Sequence, residues 1–453
     1  METVSDATNR AQELDLSHVL LGFFDHNGHL LGKRYNVANL EKAITSGIAF
    51  VEAIFIGDPS GRGIIETNLL LHPAQEFRDG VVRFDPSTCR ELKLSDTATE
   101  LLLLGQFVNE ARAHCPRALL TAELERWKEL GIDVVGAFEL ECAALQETTQ
   151  SLEHKSITTL ETKYGFAEAY SINHLLDQED MVGELNTLCR AMDIEIETQH
   201  IELQYMLETS MRPQTGIRIA DNAALFKNFC KQVARKHGYM MSFMARWHPE
   251  QQGCGAHINV SLRDAQSGEQ LFFEEAAADQ MTPRMKHFIG GLHTYLPELF
   301  LLLAPNLNSY KRFRPGLFTP LNNSWGINNK TVAYRAINSS SGAARVEIRP
   351  PGADVSAHLS LAAVLVAGRK GIEEQIDPPE PVVGDGFSLE DVPGKPFPTT
   401  FEDAISTFND SSVARESLSD AFVDLFVADR QWQLDQFSQT VTDWELRMFA
   451  EGA

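Results

Sequence analysis

Four short segments, far apart in the chain, share one pattern: a run that alternates apolar residues with residues capable of chemistry. They are "GAFELECAAL" at 136–145, "QHIELQYMLE" at 199–208, "GCGAHINVSL" at 253–262 and "ARVEIRPP" at 344–351. In a strand, side chains i and i+2 share a face. Glu139 and Glu141 therefore face one way, while Phe138, Leu140 and Cys142 face the other. The same rule pairs His200 with Glu202, with Glu208 further along, and pairs His257 with Asn259. It sets Arg345, Glu347 and Arg349 against Val346 and Ile348. Alone, any one of these is an ordinary wet strand face, since exposed Glu is common. Assembled in one sheet, the four would line a polar cavity backed by a core.

The chemistry of that cavity follows from its groups. Adjacent carboxylates repel unless positive charge lies between them. Several Glu and a His are hard to borderline donors, suited to Mg²⁺ or Mn²⁺. Interleaved arginines bind carboxylate or phosphate. Divalent metal, arginine and carboxylate together point to phosphoryl transfer. The usual nucleotide signatures are missing: there is no GxxxxGK[ST], and "GDPSGRG" at 57–63 has the spacing of a turn. A chain without them that uses ATP must hold it in an unusual fold.

The rest of the sequence frames this sheet. The 453 residues, 43% of them apolar, suffice for more than one domain. The net charge of −24 argues against non-specific nucleic-acid binding. The first fifteen residues are polar and acidic and form no secretory signal. No apolar run has the roughly 18 residues of a membrane helix; "LPELFLLLAP" and "LSLAAVLVAG" read as core segments. The six cysteines show no CxxC, so they read as reduced thiols of a cytoplasmic protein.

"HVLLGFFD" and "HLLGKRYN" flank "HNG", a hairpin signal. "PRALLTAELERWKELG" at 116–131 has Pro at its start, a stripe of Leu119, Leu120, Leu124 and Trp127, and a terminal Gly, so it predicts a helix. The domain boundary is placed before it, giving domains 1–112 and 113–453. "DQEDMVGELNTLCRAMD" and "NAALFKNFCKQVARKHG" predict helices, and "IEIETQHIELQYML", "YMMSFMARW" and "GAHINVSLRD" strands. Residues 377–400 predict a long loop and 401–450 helices. The layout is α+β: a mainly antiparallel sheet backed by helices.

At the level of motifs, "NSYKRFRPG" (308–316), "SWGINNKTVAYR" (324–335), "GCGAHINVSL" and "RVEIRPPGADVSAHLSLAAVLVAGRKGI" (345–372) resemble glutamine synthetase, in order and spacing. "AFELE" and the ending "VTDWELRMF" are similar too. The resemblance runs from about residue 113 to the end and more weakly through the first 112 residues. It implies an N-terminal β-grasp domain, a C-terminal catalytic domain and a dodecamer of two hexameric rings with active sites between subunits. It implies ATP and two or three Mg²⁺ or Mn²⁺ ions. Glutamate would be activated as γ-glutamyl phosphate, and an amine would then displace phosphate. Residue by residue, it implies that Glu141, Glu202 and Glu208 hold the metal nearest glutamate, while Glu139, His257 and Glu347 hold the ATP-side metal. Arg312 and Arg349 would clamp the glutamate carboxylates, with Gln252 and Gly253 completing the pocket. Lys330 and Arg335 would stabilise the transferring phosphoryl group, and Asn259 would lie near the nucleotide. His200 is set aside as a core or supporting histidine.

The departures from that family carry information. Ammonia-using members have a glutamate in the loop after the "KR" motif, where "RFRPGLFTP" has Phe318. The "GQ" before the third metal glutamate is missing from "ELQYMLE". Lys330 stands for an arginine, Asn259 for a frequent histidine, and no tail tyrosine matches the regulatory adenylylation site. Glu52 in "FVEAIF" is the candidate acid of the amine pocket. An alkylammonium with a pKa near ~10.4 needs an acid to attract and deprotonate it. An arylamine arrives neutral and accepts an apolar pocket. The departures thus resemble the glutamate–amine ligase branch, with a small apolar or aromatic amine such as isopropylamine or aniline. The alternatives are glutamine synthetase itself, a polyamine or ethanolamine ligase, and an inactive structural or sensing relative. Retention of all the candidate ligands and both clamping arginines speaks against the last.

Overall fold

The computed structural model describes residues 3–60, 65, 78–95, 98–155, 159–165, 167–203, 206–387, 393 and 395–452. Residues 61–63 of "GDPSGRG" lie outside them; Gly57 to Ser60 end in a turn.

Six strands near the N-terminus form one mixed sheet: β1 (His18–Phe24), β2 (Leu30–Asn36), β3 (Ile48–Val51), β4 (Asp79–Phe84), β5 (Arg90–Lys93) and β6 (Thr99–Phe107). The order is β2-β1-β6-β4-β3, with β5 also on β6. β1 and β2 are the expected hairpin, and β1 runs parallel to β6. Phe23, Phe50, Phe55 and Phe107 pack edge-on or tilted in its core.

The larger sheet contains β7 (Ile132–Leu145), β8 (Ile196–Glu202), β9 (Met206–Met211), β10 (Gln214–Thr215), β11 (Met240–Ser242), β12 (Ala256–Asp264), β13 (Trp325–Ile327), β14 (Tyr334–Ile337) and β15 (Arg345–Ile348). Its path is β13-β14-β15-β12-β7-β9-β8, and β10 and β11 pair with β7. Every pair is antiparallel except β13–β14. The α+β expectation holds, with that one parallel pair making the sheet mixed.

One expected strand is two. "IEIETQHIELQYML" forms β8 and β9, an antiparallel pair with His200 opposite Glu208. Glu208 therefore returns alongside His200, and does not lie further along the same strand. "YMMSFMARW" contributes only the short β11.

Helices Pro116–Glu129, Arg218–Lys236, Pro283–Tyr295 and Ala357–Glu373 cover the apolar side. The first begins with Pro at its first turn and buries the predicted stripe of Leu119, Leu120, Leu124 and Trp127. These side chains share a core with Phe138, Leu140, Ile258, Val346 and Ile348, the apolar halves of the alternating strands. Burying one such side chain contributes about 1.5–3 kcal/mol. The core reading of "LSLAAVLVAG" holds: residues 357–369 of the last helix are buried all round. Among the described residues, 377–387 carry no helix or strand, and the tail is helical over Phe401–Asn409, Ser412–Leu418, Asp420–Ser438 and Asp443–Phe449.

Candidate active site

Strand register gathers the polar halves. Residues directly opposite one another share a sheet face. Arg335 faces Glu347, Glu347 faces Asn259, His257 faces Glu139 and Glu141 faces Glu208. A single band thus runs across six strands from Arg335 to His200.

One end of the band holds Glu139, His257 and Glu347, whose ligand atoms lie within 4.8 Å of one another. His257 Nδ1 is 3.4 Å from Glu139 Oε2 and 3.5 Å from Glu347 Oε1. Asn259 Nδ2 donates to Glu139 Oε1 at 2.9 Å. Burial alone would raise the Glu139 carboxyl, but hydrogen bonds from His257 and Asn259 outweigh it and hold the group at about 2. Glu347 is also held below the usual carboxylate range: burial opposes ionisation, and His257, Arg349 and Arg335 overcome it.

The other end holds His200, Glu202 and Glu208, also within 4.8 Å of one another. His200 Nε2 is 2.8 Å from Glu202 Oε1 and 3.7 Å from Glu208 Oε2. Glu141 lies between the two groups. It accepts from the Gly255 backbone N–H at 2.7 Å and approaches His257 Nε2 at 4.0 Å. Burial, then the charges of Glu141, Glu139 and Glu202, push the Glu208 carboxyl up to about 9. A divalent cation fits this donor set: the oxygens and imidazole nitrogens are hard to borderline ligands. The repulsion that lifts Glu208 is what a 2+ charge cancels.

Cations border both groups. Arg335 Nη1 donates to Glu347 Oε2 at 2.9 Å, and Arg349 Nη1 donates to Glu347 Oε1. Arg312, 2% exposed, donates Nη1 to the Pro350 carbonyl at 2.8 Å. Burial, opposed by Glu141 and reinforced by Arg349, lowers its guanidinium. The Nε groups of Arg312 and Arg349 are buried without a hydrogen-bond partner among the described residues. Two neighbouring buried guanidiniums with donors to spare form a site for an anionic ligand. Gly253 is fixed by space: a Cβ there would lie 2.4 Å from the Ala245 carbonyl and 2.9 Å from Arg312 Cγ. Lys330 is exposed, makes no hydrogen bond or ion pair among the described residues, and extends its charge toward Glu202.

A cleft of about 840 Å³ opens beside Glu139 and Asn259, lined also by Thr198, Ser210, Ser261 and Arg345. Arg345 Nε donates to Asn259 Oδ1 at 2.9 Å, so the asparagine links this cleft to the carboxylate group.

Phe318 is 54% exposed. Its N–H donates to Gln252 Oε1 at 3.2 Å, and its ring centroid lies 5.6 Å from the Arg349 guanidinium. The loop residue that departs from the family pattern thus sits at the rim of the two-arginine pocket, with Gln252 beneath it. Glu52 is not gathered into this band within the chain. It is 5% exposed at the start of the short 3-10 turn Glu52–Ile56 that follows β3, and accepts from Arg78 Nε at 2.7 Å. Cys254 is fully buried and its thiol is raised by burial, in keeping with a spacer. Trp325 and Tyr310 are packed in the core region as expected.

Three contributors escape a reading of strand alternation. His200, beside Glu202 by alternation, meets Glu208 only because β9 returns antiparallel to β8. Tyr170 stacks on His200 at 4.7 Å, and its hydroxyl reaches Glu202. Phe387 meets Phe318 edge-on at 5.2 Å.

A sheet face with two carboxylate–histidine groups, bordered by arginines and an open cleft, has the donor set that metal-assisted phosphoryl chemistry requires. Residues 113–449 match the family described as glutamine synthetase, catalytic domain. The chain is 30% identical over 433 residues to type-1 glutamine synthetase 2 of Dictyostelium discoideum, covering 94% of this chain and 82% of that one. It is 30% identical over 358 residues to glutamate–isopropylamine ligase of a Pseudomonas species, covering 78% and 77%. The solved structure of apo GmaS superposes with a TM-score of 0.83 at 23% identity, over 98% of this chain and 99% of that one, which shows a shared fold. The chain belongs to the glutamine synthetase family of ATP-dependent ligases.

Proposed function

We propose that the protein joins the γ-carboxylate of glutamate to an organic amine, forming a γ-glutamyl amide, ADP and phosphate. The observation that carries this reading is Phe318, an exposed aromatic ring at the rim of the pocket bounded by Arg312 and Arg349. The similarity to a glutamate–isopropylamine ligase supports it. The favoured amine is small and apolar or aromatic, of the isopropylamine or aniline type.

In this reading ATP occupies the cleft beside Asn259, with its phosphates toward Glu139. Glu139, His257 and Glu347 would hold one Mg²⁺ or Mn²⁺, and Glu141, Glu202 and Glu208 would hold another. His200 orients Glu202. These ions supply the charge that lets two anions meet. Arg312 and Arg349 bind the glutamate carboxylates, with Gln252 and the Gly253 backbone completing the pocket. The γ-carboxylate oxygen attacks the γ-phosphorus and ADP leaves, giving γ-glutamyl phosphate. Lys330 and Arg335 steady the transferring phosphoryl group, which is the dominant kind of help such a step can receive. The amine nitrogen then attacks the acyl carbon, phosphate leaves, and the amine loses one proton. Tyr170 and Phe318 border the amine. Glu52 serves it only if a neighbouring subunit supplies its N-terminal sheet, as a ring assembly would. The buried free thiols support a cytoplasmic setting.

The test is phosphate release with glutamate, ATP and Mg²⁺ across a panel of isopropylamine, aniline, ethanolamine, putrescine and ammonium. Turnover with putrescine or ammonium but not with the apolar amines refutes the reading.

A further inference from the structure

Phe387 follows a short strap, residues 382–386, that the rest of the site does not account for. The Val382 N–H donates to the Trp325 carbonyl at 2.8 Å. Asn329 Nδ2 donates to the Gly384 carbonyl at 2.8 Å, and the Gly386 N–H donates to Thr331 Oγ1 at 2.7 Å. Gly384 turns at φ +93, a conformation L side chains rarely adopt. Residues 382–386 are thereby bound to both flanks of Lys330, the loop assigned to the phosphoryl group. What this anchoring delivers is the Phe387 ring, set edge-on against Phe318 at 5.2 Å.

The geometry has a chemical consequence. The face of Phe318 is turned to the Arg349 guanidinium at 5.6 Å. That face is taken up by a resident cation, so it is a poor receptor for an ammonium ion. The second ring adds apolar surface and no acceptor. A hydrated ammonium crossing the surface of these two contacting rings would lose water without a replacement partner, whereas an alkyl or aryl group gains contact. We propose that Phe387 is a specificity-determining residue for the amine: with Phe318 it forms an aromatic mouth that admits apolar amines and disfavours ammonium.

This inference rests on the amine-ligase reading, and the experiment separates the two. The holoenzyme with glutamate and Mg²⁺-ATP is assayed for kcat/KM with isopropylamine, aniline and ammonium, as wild type, Phe387→Ala and Phe387→Leu. The expected result is a fall of about tenfold in the preference for isopropylamine over ammonium in Phe387→Ala, the scale of a lost apolar contact in a specificity pocket. Phe387→Leu, which restores apolar bulk, recovers most of it. A preference unchanged in Phe387→Ala, or rates falling equally for all three amines, overturns the inference and leaves the reaction standing. A wild-type enzyme that prefers ammonium overturns the reaction reading and this inference together.

Discussion

Glu208 carries more electrostatic tension than any other carboxylate of the band. With its carboxyl raised to about 9 by burial and by Glu141, Glu139 and Glu202, the folded state holds a proton that the unfolded chain releases near ~4.3. Between those values the native state binds more protons than the unfolded one, so the metal-free protein loses stability at this site as pH rises from about 4.3 toward 9. In the proposed reading a divalent cation would take over the proton's role. Thermal melts at pH 8 should show Mg²⁺ or Mn²⁺ raising Tm, by the equivalent of about 2.7 kcal/mol at a hundredfold excess over Kd. Glu208→Gln should make the metal-free protein more stable than wild type and shrink the gain from metal. A Glu208→Gln protein with the wild-type response to metal contradicts the assignment. Phe318 tests the other half of the site. Phe318→Glu restores an acid where ammonium is handled in ammonia-using relatives, so glutamine formation should rise and apolar amine turnover fall by about tenfold or more.

At the scale of elements, the site depends on helices that hold the strands in register. Asp221 on Arg218–Lys236 accepts from Arg117 Nη2 at 3.0 Å, on Pro116–Glu129, and meets His358 Nε2 at 2.9 Å, on Ala357–Glu373. All three are buried. Burial works against the Asp221 charge, but Arg117 and His358 hold its carboxyl well below the usual range. Its contribution is present above the unfolded value near ~3.9 and is lost as pH falls below it. Asp221→Asn should cost about 3–5 kcal/mol in denaturant unfolding, the cost of breaking a buried pair from one side. A loss under 1 kcal/mol would show that the three helices do not depend on it. This scale also explains what was legible beforehand. Glu139, His257 and Glu347 follow from alternation, because each strand keeps its period through the motif. The β8–β9 reversal does not, because "IELQYML" has no Gly or Pro to mark a turn. The approach of His200 to Glu208 is therefore not legible in the sequence. His358 sits in an apolar run that gives no hint of Asp221, 137 residues away. Tyr170 and Phe387 lie in irregular segments, where no periodicity predicts a neighbour.

For the whole molecule, the charge of −24 and the local chemistry pull in different directions, and the band of arginines resolves them. A strongly acidic protein repels anionic substrates at long range, though salt screens this beyond about 8–10 Å; in the proposed reading, close binding rests on Arg312, Arg335 and Arg349. The last helix, Asp443–Phe449, leaves Trp444, Leu446 and Phe449 each more than half exposed. Contiguous apolar exposure of this kind marks a contact surface between copies of a chain. Light scattering should give a multiple of the chain mass, reduced in Trp444→Ser/Leu446→Ser; a monomer in the unaltered protein contradicts it. The central claim concerns the nucleophile, and one competition decides it. The enzyme is given glutamate, Mg²⁺-ATP and equal concentrations of isopropylamine and ammonium, and the products are weighed by mass spectrometry. The account predicts that γ-glutamyl isopropylamide exceeds glutamine. Glutamine in excess would contradict it.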